Sequence, residues 1–117
     1  MHAPLTVVLL VKNEQDRLPE ALESVGFADE IVVADTGSTD ETVRIARLGG
    51  ARVESIGWEG FVASRNRAIA QARHDWVLVL DADERVTPAL RREILAALER
   101  DDPGISGYRM PRLSHFL

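Results

Sequence analysis

Three short segments rich in Val, Ile and Leu punctuate this chain, at residues 5–11, 31–34 and 75–80, and residues 51–56 read as a further short strand. Continuous apolar, β-branched runs of that length suit strands buried on both faces of a parallel sheet. Between them the apolar positions change to a helical period. Leu18, Ala21, Leu22 and Val25 recur at that spacing, with Pro19 tolerable only in a first turn. Ser38-Thr39-Asp40-Glu41 has the pattern of a capping box, which predicts a helix from there to about Leu48, ended by a left-handed cap at Gly49-Gly50. A third helix is expected from about Phe61 to Arg73, with Phe61, Ala68, Ile69 and Ala72 on its apolar side. Thr87 and Pro88 read as N-cap and first-turn proline of a fourth, whose buried stripe is Leu90, Ile94, Ala97 and Leu98. A turn at 101–104 and a further strand over 107–110 complete the series. Strict alternation of strand and helix predicts an α/β fold: a mostly parallel, doubly wound sheet with right-handed crossovers.

Length and composition narrow the class. At 117 residues the chain is one domain, expected to span 1–117 with no linker or repeat. Its formal charge of −5 offers no basic face for nucleic acid. The absence of cysteine excludes disulfides and thiolate metal sites, and a reducing cytoplasm is the default compartment. No apolar stretch approaches the roughly 20 residues of a membrane span, so the expected protein is soluble or at most peripheral at the inner face of the membrane.

Polar groups follow three of the strands: Asn13-Glu14 after the first, Asp35 after the second, and Asp81-Ala82-Asp83 after the fourth. In open α/β sheets ligands bind beyond the carboxyl ends of the strands, so these residues would converge on one edge. Alternate residues of an extended chain share a face, and the Asp-x-Asp spacing can therefore offer two carboxylates to one cation. Two like charges held close need a cation or donors to stay ionised. An aspartate after a strand is also a common turn former, and Asp35 keeps both readings. Arg65 and Asn66 fall on or beside the apolar stripe of the third helix, as an interior hydrogen-bond pair or as ligand contacts. Trp58 and Trp76 read as core or rim packing. His2, His74 and His115 have no ligand spacing.

Val11-Lys12-Asn13-Glu14, the stretch from Ala28 through Asp35-Thr36-Gly37-Ser38-Thr39-Asp40-Glu41 to Thr42, Trp58-Glu59-Gly60-Phe61 with Arg65-Asn66, and Trp76 through Asp81-Ala82-Asp83-Glu84 occur here in one order. In that series the chain resembles the N-terminal, nucleotide-sugar-binding half of family 2 glycosyltransferases of the GT-A fold, lipopolysaccharide-core β-glucosyltransferases above all. The resemblance implies an inverting transferase that takes a sugar from a nucleotide donor, UDP-linked, to a saccharide or lipid-linked saccharide of the bacterial envelope. It implies that Val11, Asn13 and Glu14 border the nucleoside, that Asp35 bonds the uracil ring, and that Arg65 lines the nucleotide pocket. Asp83 is implied to bind Mn²⁺ or Mg²⁺ directly, with Asp81 on the ribose or the metal's water shell. Enzymes of the family continue well past the Asp-x-Asp. The expectation is therefore a domain cut before the acceptor-binding region, with the general base beyond Leu117 and an exposed edge favouring a homo-oligomer. A non-catalytic nucleotide-binding or oligomerisation module is the alternative.

Two other Asp-bearing α/β families fit less well. Haloacid-dehalogenase-type phosphatases carry Asp-x-Asp on the first strand, with Thr or Val where Arg85 stands. Phospho-receiver domains need a lysine after a late strand, and the only lysine is Lys12.

Overall fold

The computed structural model describes residues 3–100. Strands β1 (Leu5–Val11), β2 (Glu30–Asp35), β3 (Arg52–Ser55) and β4 (Trp76–Asp81) alternate with helices α1 (Leu18–Ser24), α2 (Thr42–Leu48), α3 (Phe61–Ile69) and α4 (Pro88–Glu99). The sheet order is β3-β2-β1-β4 and every pairing is parallel. The chain is thus α/β and doubly wound, as its pattern predicts. The turn at 101–104 and the strand at 107–110 lie outside the described residues.

Strand periodicity divides the core in two. Leu5, Val7, Leu9 and Val11 of β1 face α1, α2 and α4 together with Val33, Leu78 and Leu80. The alternate residues Val8, Val32, Ala34, Val77 and Val79 face α3, where they meet Ala68 and Ile69. Both layers are shut to solvent, which is why these strands read as unbroken apolar runs. Two leftward crossovers through α1 and α2 build β2 and β3. The third, through α3, crosses to the other face and lays β4 against the free side of β1. The order reverses at that point, between β1 and β4.

Four local expectations are corrected. Ser38 does not cap α2: its hydroxyl donates to Asp35 and accepts the Asn13 N–H at 2.8 Å, so α2 starts later, at Thr42. The helix α3 ends at Ile69 rather than Arg73. Beyond it the Gln71 carbonyl accepts from the Arg52 guanidinium and the Arg73 N–H donates to Glu30 at 2.9 Å, and both leave the helical ladder. Phe61 is 54% exposed, because the sheet-facing positions of α3 are Ser64, Ala68 and Ile69. Asn66 is exposed as well, so it does not face the sheet. The left-handed residue after α2 is Gly50, with φ +87°.

An ion-pair network closes the opposite, amino-terminal edge. Glu30 accepts from the Thr6 hydroxyl at 2.8 Å, from Arg52 at 3.2 Å and from the Arg73 N–H. Burial pushes the Glu30 carboxyl up, but these donors outweigh it and hold the group below its ordinary range. Burial also works against the Arg52 charge, and Glu54 and Glu30 overcome it.

Candidate nucleotide and cation site at the carboxyl edge of the sheet

All four strands point their carboxyl ends to one edge, and the loops after β1, β2 and β4 meet there. Register places Asp35 opposite Val11 and Asp81 opposite Leu10, so the two aspartates flank the end of β1. Their backbones stand on the order of 10 Å apart, two strand spacings. The crevice between β1 and β4 is the topological switch point, where open α/β sheets take ligands.

The loop after β1 and the loop after β2 are laced into one body. Asn13 adopts a left-handed conformation (φ 52°), which asparagine tolerates better than most residues, and its Oδ1 accepts the Thr39 N–H at 2.8 Å. The Glu14 N–H donates to the Thr42 hydroxyl at 2.8 Å, and the Gln15 side chain accepts from the Glu41 N–H at 3.1 Å. Val11 is buried, and its carbonyl accepts from the Thr36 N–H and hydroxyl, each at 3.1 Å. Asp40 completes the lacing. The Thr42 hydroxyl is the largest influence on its carboxyl, which lies below the ordinary range.

Asp35 is 6% exposed and accepts from the Gly37 N–H at 3.2 Å, the Ser38 N–H at 3.1 Å and the Ser38 hydroxyl. It is a turn-forming aspartate in this structure. Val11, Asn13 and Glu14, expected to border the nucleoside, and Asp35, expected to bond the uracil ring, therefore come together, held through Thr36, Ser38, Thr39 and Thr42.

Asp81 and Asp83 do not share the face of an extended strand. The strand ends at Asp81, and the Asp81 carbonyl accepts the Glu84 N–H at 2.9 Å, closing a tight turn. The Glu84 carboxylate reaches back to the Asp81 N–H at 2.8 Å. Ala82 is buried at the base of this turn, Asp81 is half-buried, and Asp83 is exposed. Asp83 is thus presented by a turn instead of by strand alternation. Among the described residues no group of three or more His, Cys, Asp or Glu side chains is assembled for a metal ion. Two hard carboxylates suit a Mg²⁺-like ion that fills the rest of its shell with water and phosphate oxygens.

Above the opposite face of the sheet, Arg65 is half-buried and lies 5.8 Å from the centre of the Phe61 ring, a cation–π distance. Trp58, Phe61 and Val62, at the entry to α3, are exposed; Trp58 packs into no core. Trp76 is partly buried against the α1–α2–α4 layer. His74 is half-buried at the amino-terminal edge, away from the loops, while His2 and His115 lie outside the described residues. The sequence reading missed the threonines and Ser38 that lace the loops, and the back-bond of Glu84. The only signal for the latter was its spacing three residues after Asp81, the spacing of a reciprocal cap.

The model of the family described as Glycosyl transferase family 2 matches residues 6–114. The chain belongs to glycosyl transferase family 2. The lipopolysaccharide core biosynthesis glycosyltransferase LpsC of Rhizobium meliloti is 31% identical over 97% of this chain and 44% of its own length. A TPR repeat-containing protein of Synechococcus elongatus is 40% identical over 86% of the chain and 25% of its own length. Glucosyl-3-phosphoglycerate synthase from Mycobacterium tuberculosis, solved with Mn²⁺, UDP-glucose and phosphoglyceric acid, superposes with a TM-score of 0.66 at 27% identity. That match covers 80% of this chain and 40% of the synthase. The chain spans between 25% and 49% of the length of the curated relatives it matches. The family 2 domain here keeps the Rossmann-like α/β architecture of those solved neighbours. No described helix is long and apolar enough to cross a membrane.

Proposed function

We propose that this family 2 chain is the donor-binding half of an inverting glycosyltransferase that uses a UDP-sugar and a divalent cation. The observation that carries the proposal is the Asp81–Glu84 turn, which presents an exposed Asp83 beside the switch point of the sheet. In this reading Asp83 binds Mn²⁺ or Mg²⁺, and Asp81 reaches the ribose or the water shell of the ion. The cation supplies Lewis acidity toward the departing nucleoside diphosphate.

The laced loops then receive the nucleoside. Asp35, oriented by Ser38 and the Gly37 N–H, takes the uracil ring, with Val11, Asn13 and Glu14 forming the wall. Arg65 lines the pocket from α3, its guanidinium drawn toward Phe61. An inverting transfer also needs a base that deprotonates the acceptor hydroxyl as it attacks the anomeric carbon from the face opposite the diphosphate. The longer relatives hold the additional sequence in which this reading places that base and the acceptor site.

Solved neighbours holding UDP, Mn²⁺ and UDP-glucose support the donor and the cation. The likeness to LpsC supports an envelope saccharide or lipopolysaccharide acceptor, reached from the cytoplasmic side of the membrane. Calorimetric titration of UDP into the chain, with Mn²⁺ and then with EDTA, tests the donor site. Binding that needs the metal supports the reading, and identical heats in both conditions overturn it.

A further inference from the structure

Arg85 follows the Asp81–Glu84 turn, and its side chain reaches three backbone carbonyls. Nη1 donates to the carbonyl of Ala82 and to that of Glu84, each at 2.7 Å. Nη2 donates to the carbonyl of Arg17 at 2.9 Å, where the chain enters α1. Nε stands 3.4 Å from the exposed Glu20 carboxylate. The next residue repeats the tie: the Val86 N–H donates to the Ser24 hydroxyl at 3.1 Å. The turn is therefore bolted to α1 from outside while Glu84 braces it from within.

From this arrangement we infer that Arg85 is a positioning residue that fixes the Asp81–Glu84 turn, and with it the cation-binding direction of Asp83. The inference rests on the reading of Asp83 as a metal ligand. Its physical basis is the planar guanidinium fork, which satisfies several carbonyls at fixed angles where an ammonium group cannot. An exposed carboxylate on an unbraced turn would sample many directions, and an ion that uses few protein ligands depends on each being held in place. The Arg85 side chain itself, engaged with Ala82, Glu84 and Arg17, is not needed as a ligand.

The test compares the unaltered chain with Arg85→Met and Arg85→Lys. Exchange of the Asp81 and Glu84 amide hydrogens reads the turn directly. Calorimetry with Mn²⁺ and UDP reads the site, and the electron paramagnetic resonance line shape of bound Mn²⁺ reads its order. In Arg85→Met the two amides should lose protection while those of β1 keep theirs. Mn²⁺-dependent affinity should fall about tenfold to a hundredfold, the usual effect of removing a partner that orients a metal ligand. The Mn²⁺ spectrum should broaden, and metal-free UDP binding should not change. Arg85→Lys keeps the stem and the charge, so it carries the test if the methionine variant does not fold. It too should lose most of the metal-dependent affinity, because the fork is gone.

Unchanged amide protection, or full Mn²⁺ affinity in either folded variant, overturns the role of Arg85 and leaves the metal reading standing. Failure of the unaltered chain to bind Mn²⁺ with UDP overturns the metal reading, and this inference with it.

Discussion

Glu84 and Asp81 bond each other twice: the Glu84 N–H donates to the Asp81 carbonyl at 2.9 Å, and the Glu84 carboxylate accepts the Asp81 N–H at 2.8 Å. The pair has the reciprocity of a capping box with no helix behind it. It ends β4 cleanly and gives the next residues a fixed shape. Asp83 stands out from that shape, exposed and carrying none of the bonds that maintain it.

Asp83→Ala should therefore leave folding untouched and remove metal-dependent UDP binding. Surface substitutions away from structural features change stability by about 0.5 kcal/mol or less. Thermal unfolding and titration with Mn²⁺ on the same sample check both halves. A variant that melts early, or that binds as before, contradicts the assignment.

Asp35→Ala should behave differently, because this buried carboxylate organises the loop after β2 as well as facing the proposed uracil pocket. Leaving the Gly37 and Ser38 N–H groups without their acceptor costs about 1–3 kcal/mol. Denaturant unfolding should show that loss, alongside weaker UDP binding with Mn²⁺ affinity largely retained. Stability equal to that of the unaltered chain would remove the structural half of the claim.

Asn13 separates conformational from bonding effects. Asn13→Gly keeps the left-handed backbone and gives up the bond to Thr39, so the two effects oppose and the net change should stay within about 1 kcal/mol. Asn13→Val loses the bond and forces a β-branched residue to positive φ, for a cost of about 2 kcal/mol or more. Equal stabilities of the two variants would mean that the loop relaxes out of the left-handed conformation.

Glu30 ties part of the fold's stability to pH. Its folded pKa lies below the ordinary glutamate value of 4.5, with burial opposed and outweighed by the Arg73 N–H, Thr6 and Arg52. The stability it contributes is fully present above the unfolded value and drains away as pH falls through the lower folded one. Glu30→Gln should cost about 1–3 kcal/mol at neutral pH and flatten the dependence of stability on pH below 4.5. Urea unfolding across pH 3 to 7 checks this, and parallel curves for the two proteins would contradict it.

Strands β1, β2 and β4 are legible because burial on both faces leaves few polar residues inside them, as Val7, Val8, Leu78 and Val79 show; β3, with Arg52, Glu54 and Ser55 unburied, is legible only from its place in the alternation. Helix ends are less legible, since distant partners decide them. Ser38 is drawn away to Asp35 and Asn13, and the end of α3 is set by Arg52 and Glu30 across the sheet. At the site, the positions of Asp35 and Asp81 follow from the strand ends. The turn that carries Asp83 does not, because its shape depends on the Glu84 back-bond, which periodicity cannot reveal.

Because Asn13, Glu14 and Gln15 exchange hydrogen bonds with Ser38, Thr39, Asp40, Glu41 and Thr42, the two loops form a single unit of inheritance. Grafting residues 36–41 from a relative with a different nucleotide preference would import donors and acceptors that find no mates on the resident loop. If these loops receive the base as proposed, a change of base preference by recombination has to move residues 12–16 and 36–42 as one cassette.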